Sequence, residues 1–325
     1  MTKPKKIVLS GVKPTGKLHV GNYFGAMRQF VNLQDEYGCF FMIADLHAIT
    51  SINSAVEMKQ NTLDIVLDYL AIGLDPAKVV LFKQSDVPAH TETAWIFDCI
   101  TTMPYLMRAH AFKDAEAKNK EINVGTFNYP ILMAADILLY DADVVPVGQD
   151  QKQHVEYARD IAEKFNRTFG ETFKLPEPLI MSEVATVPGI DGQKMSKSYG
   201  NTIPLFAEDE EVRKLVMKIV TDSKTPDEIK DPTTDNIFAL HKLFSSDIIE
   251  GLETRYKEGK IGYKESKEIL ADNIIKFISP IREKRKVLAA NPDQVIAILR
   301  AGAEQASAVT TAKLQTIKQA VGIDL

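Results

Sequence analysis

Residues 7–22 read IVLSGVKPTGKLHVGN, and this stretch decides how the first part of the chain folds. Its opening residues are apolar and mostly β-branched, which is typical of a short buried strand that ends near Ser10. The glycines that follow let the backbone turn sharply, and they let a phosphate approach without meeting a Cβ atom. Gly21 and Asn22 then open a helix, whose free amides favour an anion. The stretch therefore predicts a strand–turn–helix unit that can hold a phosphate, with His19 as a hydrogen-bond donor.

Three further apolar runs predict the other strands of a sheet, at residues 39–44, 79–82 and 144–147. Continuous apolar runs of this kind are typical of parallel strands that are buried on both faces. Helical patterns separate them: one from 22 to about 37 with Gly38 as its C-terminal cap, and one capped at 53–54 that ends at Gly73. This alternation predicts an α/β fold with a Rossmann-type, doubly wound parallel sheet.

The rest of the chain reads as mostly helical. Residues 88–140 predict a helical insertion in the sheet, broken at Pro104, Gly125 and Pro130, and residues 171–192 read as irregular. From about residue 208, charged amphipathic helices dominate. We therefore expect a catalytic domain over residues 1–192, a smaller all-helical domain over 193–291, and a C-terminal helix over 292–325 that packs back on the first domain.

A second motif, KMSKS, occupies Lys194 to Ser198, about 175 residues after the first. Its two lysines can neutralise a leaving pyrophosphate, and its two serines add neutral donors. Lysine and serine are also what an ordinary solvated loop contains, so the motif alone leaves both interpretations open. Glycines on both sides of it indicate hinges, which fits a loop that closes over a substrate.

A third segment, Gly148, Gln149 and Asp150, follows a predicted strand. Ligands bind at this edge of open α/β sheets, so Asp150 could accept a hydrogen bond from a ribose hydroxyl. The alternative is that Asp150 only caps the next helix. Together the three segments fit one reaction, the attack of a carboxylate on the α-phosphate of ATP to give an acyl-adenylate and pyrophosphate.

Composition narrows the class of protein. The chain has 325 residues, 45% of them hydrophobic and 26% charged, and a net charge of −5. No run of 18 apolar residues and no signal-peptide pattern occurs, so we expect a cytoplasmic protein without a membrane span. The two cysteines, Cys39 and Cys99, cannot form a disulfide scaffold or an iron–sulfur cluster. The negative charge argues against a nonspecific nucleic-acid coat but not against a tRNA partner, for which residues 282–286 offer a basic run.

The two motifs resemble the HIGH and KMSKS signatures of class I aminoacyl-tRNA synthetases. Residues 129–140, YPILMAADILLY, closely resemble the amino-acid-binding helix of bacterial tryptophanyl-tRNA synthetases, as do residues 44–50, 150–154 and 220–223. The resemblance covers essentially the whole chain, with the segments in the family's order. It implies activation of L-tryptophan with ATP, followed by transfer to the 3′ end of tRNA(Trp).

The resemblance also implies partners and cofactors. Members of this family are homodimers that use ATP with Mg²⁺, and their helical domain reads the tRNA anticodon, a role that would fall to residues 193–291. The sequence contains no recognisable ligand set for a metal, so we expect magnesium to come bound to the ATP phosphates. No structural metal or iron–sulfur cluster is expected.

Site residues follow from the same resemblance. The catalytic residues would be His19, Lys194 and Lys197. The ATP contacts would be Lys13, Pro14, Thr15, Gly21, Asn22, Gly148, Gln149, Asp150, Lys194, Met195, Ser196, Lys197 and Ser198. The tryptophan contacts would be Asp136, Met133, Tyr129, Gln151 and His47.

Chemistry supports Asp136 as the residue that selects the side chain. Indole carries one polar group, an N–H donor, in an apolar body. A pocket for it needs one acceptor in an apolar wall, which Asp136 provides beside Met133 and Ile137. From the sequence alone, an aspartate inside an apolar helix could equally be paired with a structural partner.

The chain departs from the family at several positions. Lys13 stands where many relatives have glutamine, and Leu9 replaces an aromatic residue. Ala115 occupies the place of a lysine, which Lys118 or Lys120 could substitute. Three alternatives to the main interpretation stay open: a tyrosyl-tRNA synthetase, a small-molecule nucleotidyltransferase, and a synthetase-like tryptophan-binding regulatory protein.

Overall fold

The computed structural model describes residues 5–109, 112–113, 116, 122–148, 152–180 and 187–324. The chain forms two compact units. The first comprises Met1–Gly16, Asn32–Ser182 and Asn291–Leu325, and the second comprises Lys17–Val31 and Glu183–Ala290. Residues 17–31 thus join the second unit, whereas the sequence-based division places them in a domain over residues 1–192.

The first unit contains a five-stranded parallel sheet, which confirms the predicted fold class. Its strands are β1 (Ile7–Val12), β2 (Gly38–Ile43), β3 (Val79–Lys83), β4 (Val144–Val147) and β5 (Glu177–Ile180). Their order is β3-β2-β1-β4-β5, with Val8 opposite Val144 where β1 meets β4. The strand order reverses between β1 and β4, and ligands of open α/β sheets bind outside the carboxyl ends at such a point.

Helices separate and follow these strands. In chain order they are α1 (Val20–Asn22), α2 (Arg28–Glu36), α3 (Asp45–Ala48), α4 (Ala55–Ile72), α5 (Ala89–Ile100), α6 (Met103–Leu106), α7 (Val124–Leu138), α8 (Lys152–Phe169), α9 (Asp209–Met217), α10 (Asn236–Phe244), α11 (Ile249–Lys257), α12 (Tyr263–Ala289) and α13 (Pro292–Val321). A π-helical turn, Tyr23–Met27, joins α1 to α2. Such turns inside helices are frequent at functional sites.

Local signals predicted some boundaries correctly and others wrongly. Ser54 caps α4 by accepting a hydrogen bond from the Glu57 amide, and Gly73 ends that helix in the left-handed conformation, as expected. Gly38 is not a helix cap, because it is the first residue of β2. The region from 171 to 192 is not wholly irregular, since it contains β5.

Two of the three expected breaks in the helical insertion lie where helices begin, since α6 starts at Met103 after α5 ends at Ile100 and α7 starts at Val124, whereas the break at Pro130 is wrong. Pro104 lies in the first turn of α6, where a missing amide proton costs nothing. Gly125 and Pro130 both lie inside α7, which Asn123 caps by accepting a hydrogen bond from the Thr126 amide. Pro130 is buried there, so packing of the apolar helix outweighs the hydrogen bond that proline removes.

The C-terminal helix α13 belongs to the first unit and lies against β3, the edge strand of the sheet. Gly302 makes the closest approach: a Cβ atom at this position would lie 2.7 Å from the carbonyl carbon of Leu81. Real Cβ atoms do not approach backbone so closely. A helix that covers an edge strand also keeps that edge from pairing with another chain.

We expect a Gly302→Ala substitution to lower the free energy of unfolding by about 2–3 kcal/mol, because α13 must move away from β3 to admit one methyl group. Gly251, in the middle of α11, is the matched control, because a Cβ atom there meets nothing within 4 Å. Gly251→Ala should be neutral or stabilising by about 0.5–1 kcal/mol. Thermal unfolding of both variants is the measurement, and equal melting temperatures would contradict the described packing.

The second unit is helical, with a core built from α1, the π-helical turn, α9, α10 and α12, and a smaller cluster that contains α11. Arg282 of α12 is buried, donates to the carbonyl of Ala207 at 2.6 Å and pairs with Asp209 at 2.8 Å. The basic run at 282–286 therefore begins with a structural arginine. Among the described residues, no helix is both long and apolar enough to cross a membrane.

Candidate active site

A buried polar cluster surrounds Asp136, near the C-terminal end of α7. Its Oδ2 accepts from His47 Nε2 at 2.9 Å, and its Oδ1 accepts from His90 Nδ1 at 2.6 Å. Gln84 Nε2 lies 2.8 Å from one carboxylate oxygen and 3.0 Å from the other. Asp136 is therefore not a lone acceptor in an apolar wall, because three side chains already donate to it. A carboxylate offers about four acceptor sites, and Gln84 already contacts both oxygens, so a further donor would have to replace one of these contacts.

The sheet explains why these donors converge. β2 and β3 are parallel neighbours, so the turns after their carboxyl ends lie side by side. Asp45 joins the two turns: its Oδ1 accepts from the Ser85 amide at 3.0 Å, and its Oδ2 accepts from the Ser85 hydroxyl at 2.5 Å. This pairing places His47, two residues after Asp45, and Gln84, just before Ser85, against the same carboxylate.

The cluster keeps Asp136 ionised. Burial alone would raise the pKa of this carboxyl group, but hydrogen bonds from His47 and His90 outweigh it and hold the pKa at about 2. Because an ionised carboxylate only accepts, His90 Nδ1 must carry its proton. His90 Nε2 then accepts from the Tyr140 hydroxyl at 2.9 Å. A fixed, charged acceptor is thus available inside the first unit.

Sequence reasoning missed Gln84, His90 and Tyr140. Gln84 and His90 stand among ordinary polar residues, at 83–86 and 90–93, and Tyr140 follows an apolar helix, so none of the three is conspicuous in the sequence. The signal that could have found them is the position of Gln84 directly after a buried strand, at the sheet edge where ligands bind.

Tyr129 and Lys13 form a second group in the first unit. The Tyr129 hydroxyl lies 2.6 Å from His154 Nε2, and burial first, then Tyr157, raises its pKa to about 12. The ammonium of Lys13 lies 5.8 Å from the centroid of the Tyr129 ring, within cation–π range. Burial lowers the pKa of Lys13 below its ordinary value. The lysine that replaces the family's glutamine thus lies over a residue expected to contact tryptophan.

The other residues predicted for the site in the first unit lie on α7 and after strands β1 and β4. Met133 is half-buried on α7, and Pro14 and Thr15 follow β1. Gly148 is exposed directly after β4, beside the point where the strand order reverses. Gln149, Asp150 and Gln151 lie outside the described residues.

A cavity of 230 Å³ is lined by residues that include His47, Tyr129 and Trp95.

In the second unit, the His19 turn pairs with a segment near residue 204. The Val20 amide donates to the Ile203 carbonyl and the Leu205 amide to the Leu18 carbonyl, both at 3.0 Å. The Asn22 side chain accepts from the His19 amide at 3.1 Å and so caps α1. These bonds fix the start of the helix that was predicted to receive an anion.

The His19 ring is buried, and its Nδ1 has no hydrogen-bond partner among the residues that the structure describes. Burial, and after it the positive charge of Lys197, lowers the pKa of His19 to about 4. The imidazole is therefore neutral at neutral pH. It can serve as a hydrogen-bond donor or acceptor there but not as a cation.

The second motif lies next to this turn. Met195 is buried, and its Sδ accepts from the Gly21 amide at 3.3 Å. A Cβ atom at Gly21 would lie 3.3 Å from the Cβ atom of Met195, closer than most such contacts, so glycine helps the two segments to approach. The structure thus joins, within one unit, residues 17–22 of the first motif and the second motif about 175 residues later.

The polar residues of the second motif face outward. Lys194, Lys197 and Ser198 are exposed, and the hydroxyls of Ser196 and Ser198 lie 2.8 Å apart. Met195 instead packs in the core of the unit, so its side chain anchors the loop. Two exposed ammonium groups beside a neutral histidine and a helix start suit a polyphosphate.

Comparisons with known proteins show which family the chain resembles. Residues 1–290 match the model of the family described as tRNA synthetases class I (W and Y). The tryptophan–tRNA ligase of Fusobacterium nucleatum is 50% identical over 317 residues, which is 97% of this chain and 97% of that protein. The corresponding ligase of Rhodopirellula baltica is 46% identical over 97% of this chain and 99% of its own length. A crystal structure of tryptophanyl-tRNA synthetase from Campylobacter jejuni, complexed with ADP and tryptophan, superposes with a TM-score of 0.92 at 44% identity, covering 97% of this chain and 99% of that one.

Proposed function

The chain belongs to the class I tRNA synthetases of the tryptophan and tyrosine family, and from this premise we propose how its residues divide the reaction. The enzyme is an ATP-dependent tryptophan–tRNA ligase. In the first step, a carboxylate oxygen of tryptophan forms a bond to the α-phosphorus of ATP. The bond from this phosphorus to the oxygen that bridges the α- and β-phosphates breaks, and pyrophosphate leaves. In the second step, a ribose hydroxyl at the 3′ end of tRNA(Trp) attacks the acyl carbon, and AMP leaves.

One observation supports the roles at the phosphates: His19, Gly21 and the Lys194–Ser198 loop lie together in one unit. We assign Lys194 and Lys197 to the charge on the leaving pyrophosphate, because ammonium groups act as mobile point charges there. Neutral His19 donates a hydrogen bond to a phosphate oxygen. Gly21, Asn22 and the backbone of Met195, with the hydroxyls of Ser196 and Ser198, complete the phosphate contacts.

The Asp136 cluster supports the assignment of the amino-acid pocket. We assign the indole N–H to Asp136, where it would take the place of one of the two contacts from Gln84, with Met133 against the apolar face of the ring and His47 at the pocket wall. Tyr129 and Gln151 hold the substrate ammonium group. A site that already contains a fixed buried acceptor penalises any side chain that lacks a matching donor.

For the nucleoside we propose Lys13, Pro14 and Thr15 after β1, and Gly148, Gln149 and Asp150 after β4. These segments follow the two strands between which the order reverses.

Magnesium enters with ATP in this proposal. In the described part of the chain, no group of three histidine, cysteine, aspartate or glutamate residues is arranged for a metal. Phosphate oxygens suit magnesium, which keeps several of its waters when bound.

We further propose that residues 193–291 read the anticodon of tRNA(Trp), that 292–325 support the catalytic domain, and that the enzyme acts in the cytoplasm.

A charging assay tests the tRNA partner. The enzyme should attach tryptophan to a tRNA(Trp) transcript and lose most of this activity when only the anticodon is changed. Equal charging of both transcripts would contradict anticodon reading and leave adenylate formation unaffected.

A homodimer is the proposed assembly, and one face of the first unit supports it. Trp95 is 70% exposed and lines the same cavity as Thr50 and Gly125. Ile49, next to Thr50 in the sequence, is 59% exposed, and Val124, next to Gly125, is 77% exposed. Large apolar side chains grouped on one surface mark an interface, and the self-complementary partner is a second copy of this chain.

We expect Trp95→Asp to raise the dimer dissociation constant by about 10²-fold, because tryptophan is a frequent hot-spot residue. Ile323→Asp, at a second exposed apolar position, is the control and should leave the dimer intact. Sedimentation velocity over a range of concentrations measures the effect. A parent protein that sediments as a monomer at high concentration would contradict the homodimer.

A further inference from the structure

The loop that carries Lys194–Ser198 is built on a short hairpin in the second unit. The Gly189 amide donates to the Gln193 carbonyl at 2.7 Å, and the Met195 amide donates to the Val187 carbonyl at 2.9 Å. These bonds define the stem. They leave the backbone around Lys194 and Ser196 to be held by other contacts.

Asn201, just beyond the loop, makes those contacts with one side chain. Its Oδ1 accepts from the Ser196 amide at 2.8 Å. Its Nδ2 donates to the Lys194 carbonyl at 3.1 Å and to Asp191 Oδ1 at 2.7 Å. Its backbone carbonyl accepts from the Ile190 amide at 3.0 Å. The side chain is buried, with 2% of its surface exposed, so water does not compete for these bonds.

The surrounding backbone leaves room for this side chain. A Cβ atom at Gly189 would lie 2.7 Å from the Asn201 carbonyl oxygen and would also collide with its side-chain amide. At the other end of the loop, Gly200 adopts the left-handed conformation with φ of 65°, which returns the chain to Asn201. Glycine on both sides thus lets a single amide reach both strands of the loop.

We propose that Asn201 is a positioning residue for tryptophan activation: its amide fixes the backbone of Lys194 and Ser196, so that the loop presents its lysines to the triphosphate in one geometry. This inference rests on the proposed role of Lys194–Ser198 as the phosphate-binding loop. Asn201 itself contacts only protein atoms. By fixing the backbone, Asn201 lowers the conformational entropy that is lost when the two lysine side chains become ordered on ATP binding.

Asparagine is the residue that this role requires. An amide offers a donor and an acceptor at the two ends of one planar group, and the loop uses both. An aspartate here would keep the acceptor for the Ser196 amide. It would lose the donor and place a second carboxylate against Asp191, where two negative charges repel.

The first test is Asn201→Ala, assayed by tryptophan-dependent ATP–pyrophosphate exchange. We expect kcat/KM for ATP to fall about 10²-fold, the effect of misplacing catalytic groups by about 1 Å. The tryptophan dissociation constant should stay close to that of the parent, and the melting temperature should fall only modestly, through the loss of a buried amide. Asn273→Ala is the matched control, because it removes a half-buried amide that bonds Ser245 in the same unit, away from the loop.

A second variant covers the case in which Asn201→Ala fails to fold. Asn201→Asp should be at least as impaired as the alanine variant. Adding Asp191→Asn should recover at least tenfold of the lost kcat/KM, because the exchanged pair again places an amide donor against a carboxylate. Failure of the second change to recover activity would overturn the proposal.

Other outcomes separate this inference from the proposed function. If Lys197→Ala lowers exchange while Asn201→Ala does not, the positioning role is overturned and the phosphate-binding loop stands. If neither substitution lowers exchange, the loop assignment itself fails. If Asn201→Ala weakens tryptophan binding and thermal stability as much as ATP use, Asn201 is a general structural residue and the proposal is overturned.

Discussion

An Asp136→Ala variant is expected to activate tryptophan about 10²- to 10³-fold less efficiently than the parent enzyme. The substitution removes the proposed acceptor for the indole N–H. It also leaves the donors of His47, His90 and Gln84 without their shared acceptor, in a site that excludes water. The loss should therefore fall on tryptophan binding first, and it should be measured as kcat/KM for tryptophan in the exchange reaction.

Selectivity gives a sharper result than rate. The parent should reject benzothienylalanine, which replaces the indole N–H with sulfur, by a large factor, and Asp136→Ala should lose most of this preference. Asp64→Ala, at a half-buried position of α4 where the carboxylate accepts from Gln60, controls for the loss of one carboxylate. If Asp136→Ala kept the preference for tryptophan, the pocket assignment would be wrong.

The same carboxylate links stability to pH. Its pKa is held at about 2 in the folded protein, below the value of about 3.9 for an unperturbed aspartate. The unfolded chain therefore binds this proton first as pH falls. The contribution of Asp136 to stability is fully present above about pH 4 and is lost as pH falls toward 2.

The second large effect is expected at Lys197. A Lys197→Glu variant should lower the rate of adenylate formation by about 10²- to 10³-fold, because it places a negative charge where pyrophosphate leaves. The tryptophan dissociation constant should change less than about threefold, because the proposed amino-acid pocket is built from other residues. Single-turnover formation of the adenylate measures the first quantity, and equilibrium binding measures the second.

Lys214→Glu is the matched control, an exposed lysine on α9 with the same change of net charge. A further signature separates Lys197 from other surface lysines. Its positive charge helps to lower the pKa of His19, so its removal should raise that pKa above about 4. Equal rate losses in the Lys214 and Lys197 variants would contradict a specific role for the loop.

Much of the fold follows from short-range patterns. Strands β1, β2 and β3 are mostly buried, so their apolar runs are continuous and easy to recognise. Ser54 and Gly73 mark the ends of α4 by ordinary capping chemistry. Strand β5 was missed because Glu177 and Pro178 are poor strand formers, and pairing with β4 decides their conformation. Pro130 was misread because the buried surface of α7 is not visible in a local window.

The site shows a similar division. The histidine turn and the lysine loop are recognisable as motifs, because each needs particular residue types at fixed spacing. The groups around Asp136 are not: His47 and Gln84 meet there because β2 and β3 are neighbours, and they are 89 and 52 residues from Asp136 in the sequence. Such contacts depend on long-range packing, which no local pattern encodes. Asn201 is only five residues from Ser196, but its contact depends on the conformation of the hairpin.

The most direct test of the whole account is ATP–pyrophosphate exchange by the purified enzyme with tryptophan, with tyrosine and with no amino acid. We predict exchange that depends on tryptophan and stays at background with tyrosine. Exchange with tyrosine would contradict the Asp136 pocket while leaving the ATP site in place. Tryptophan binding without any exchange would contradict the assignment of His19, Lys194 and Lys197 to catalysis.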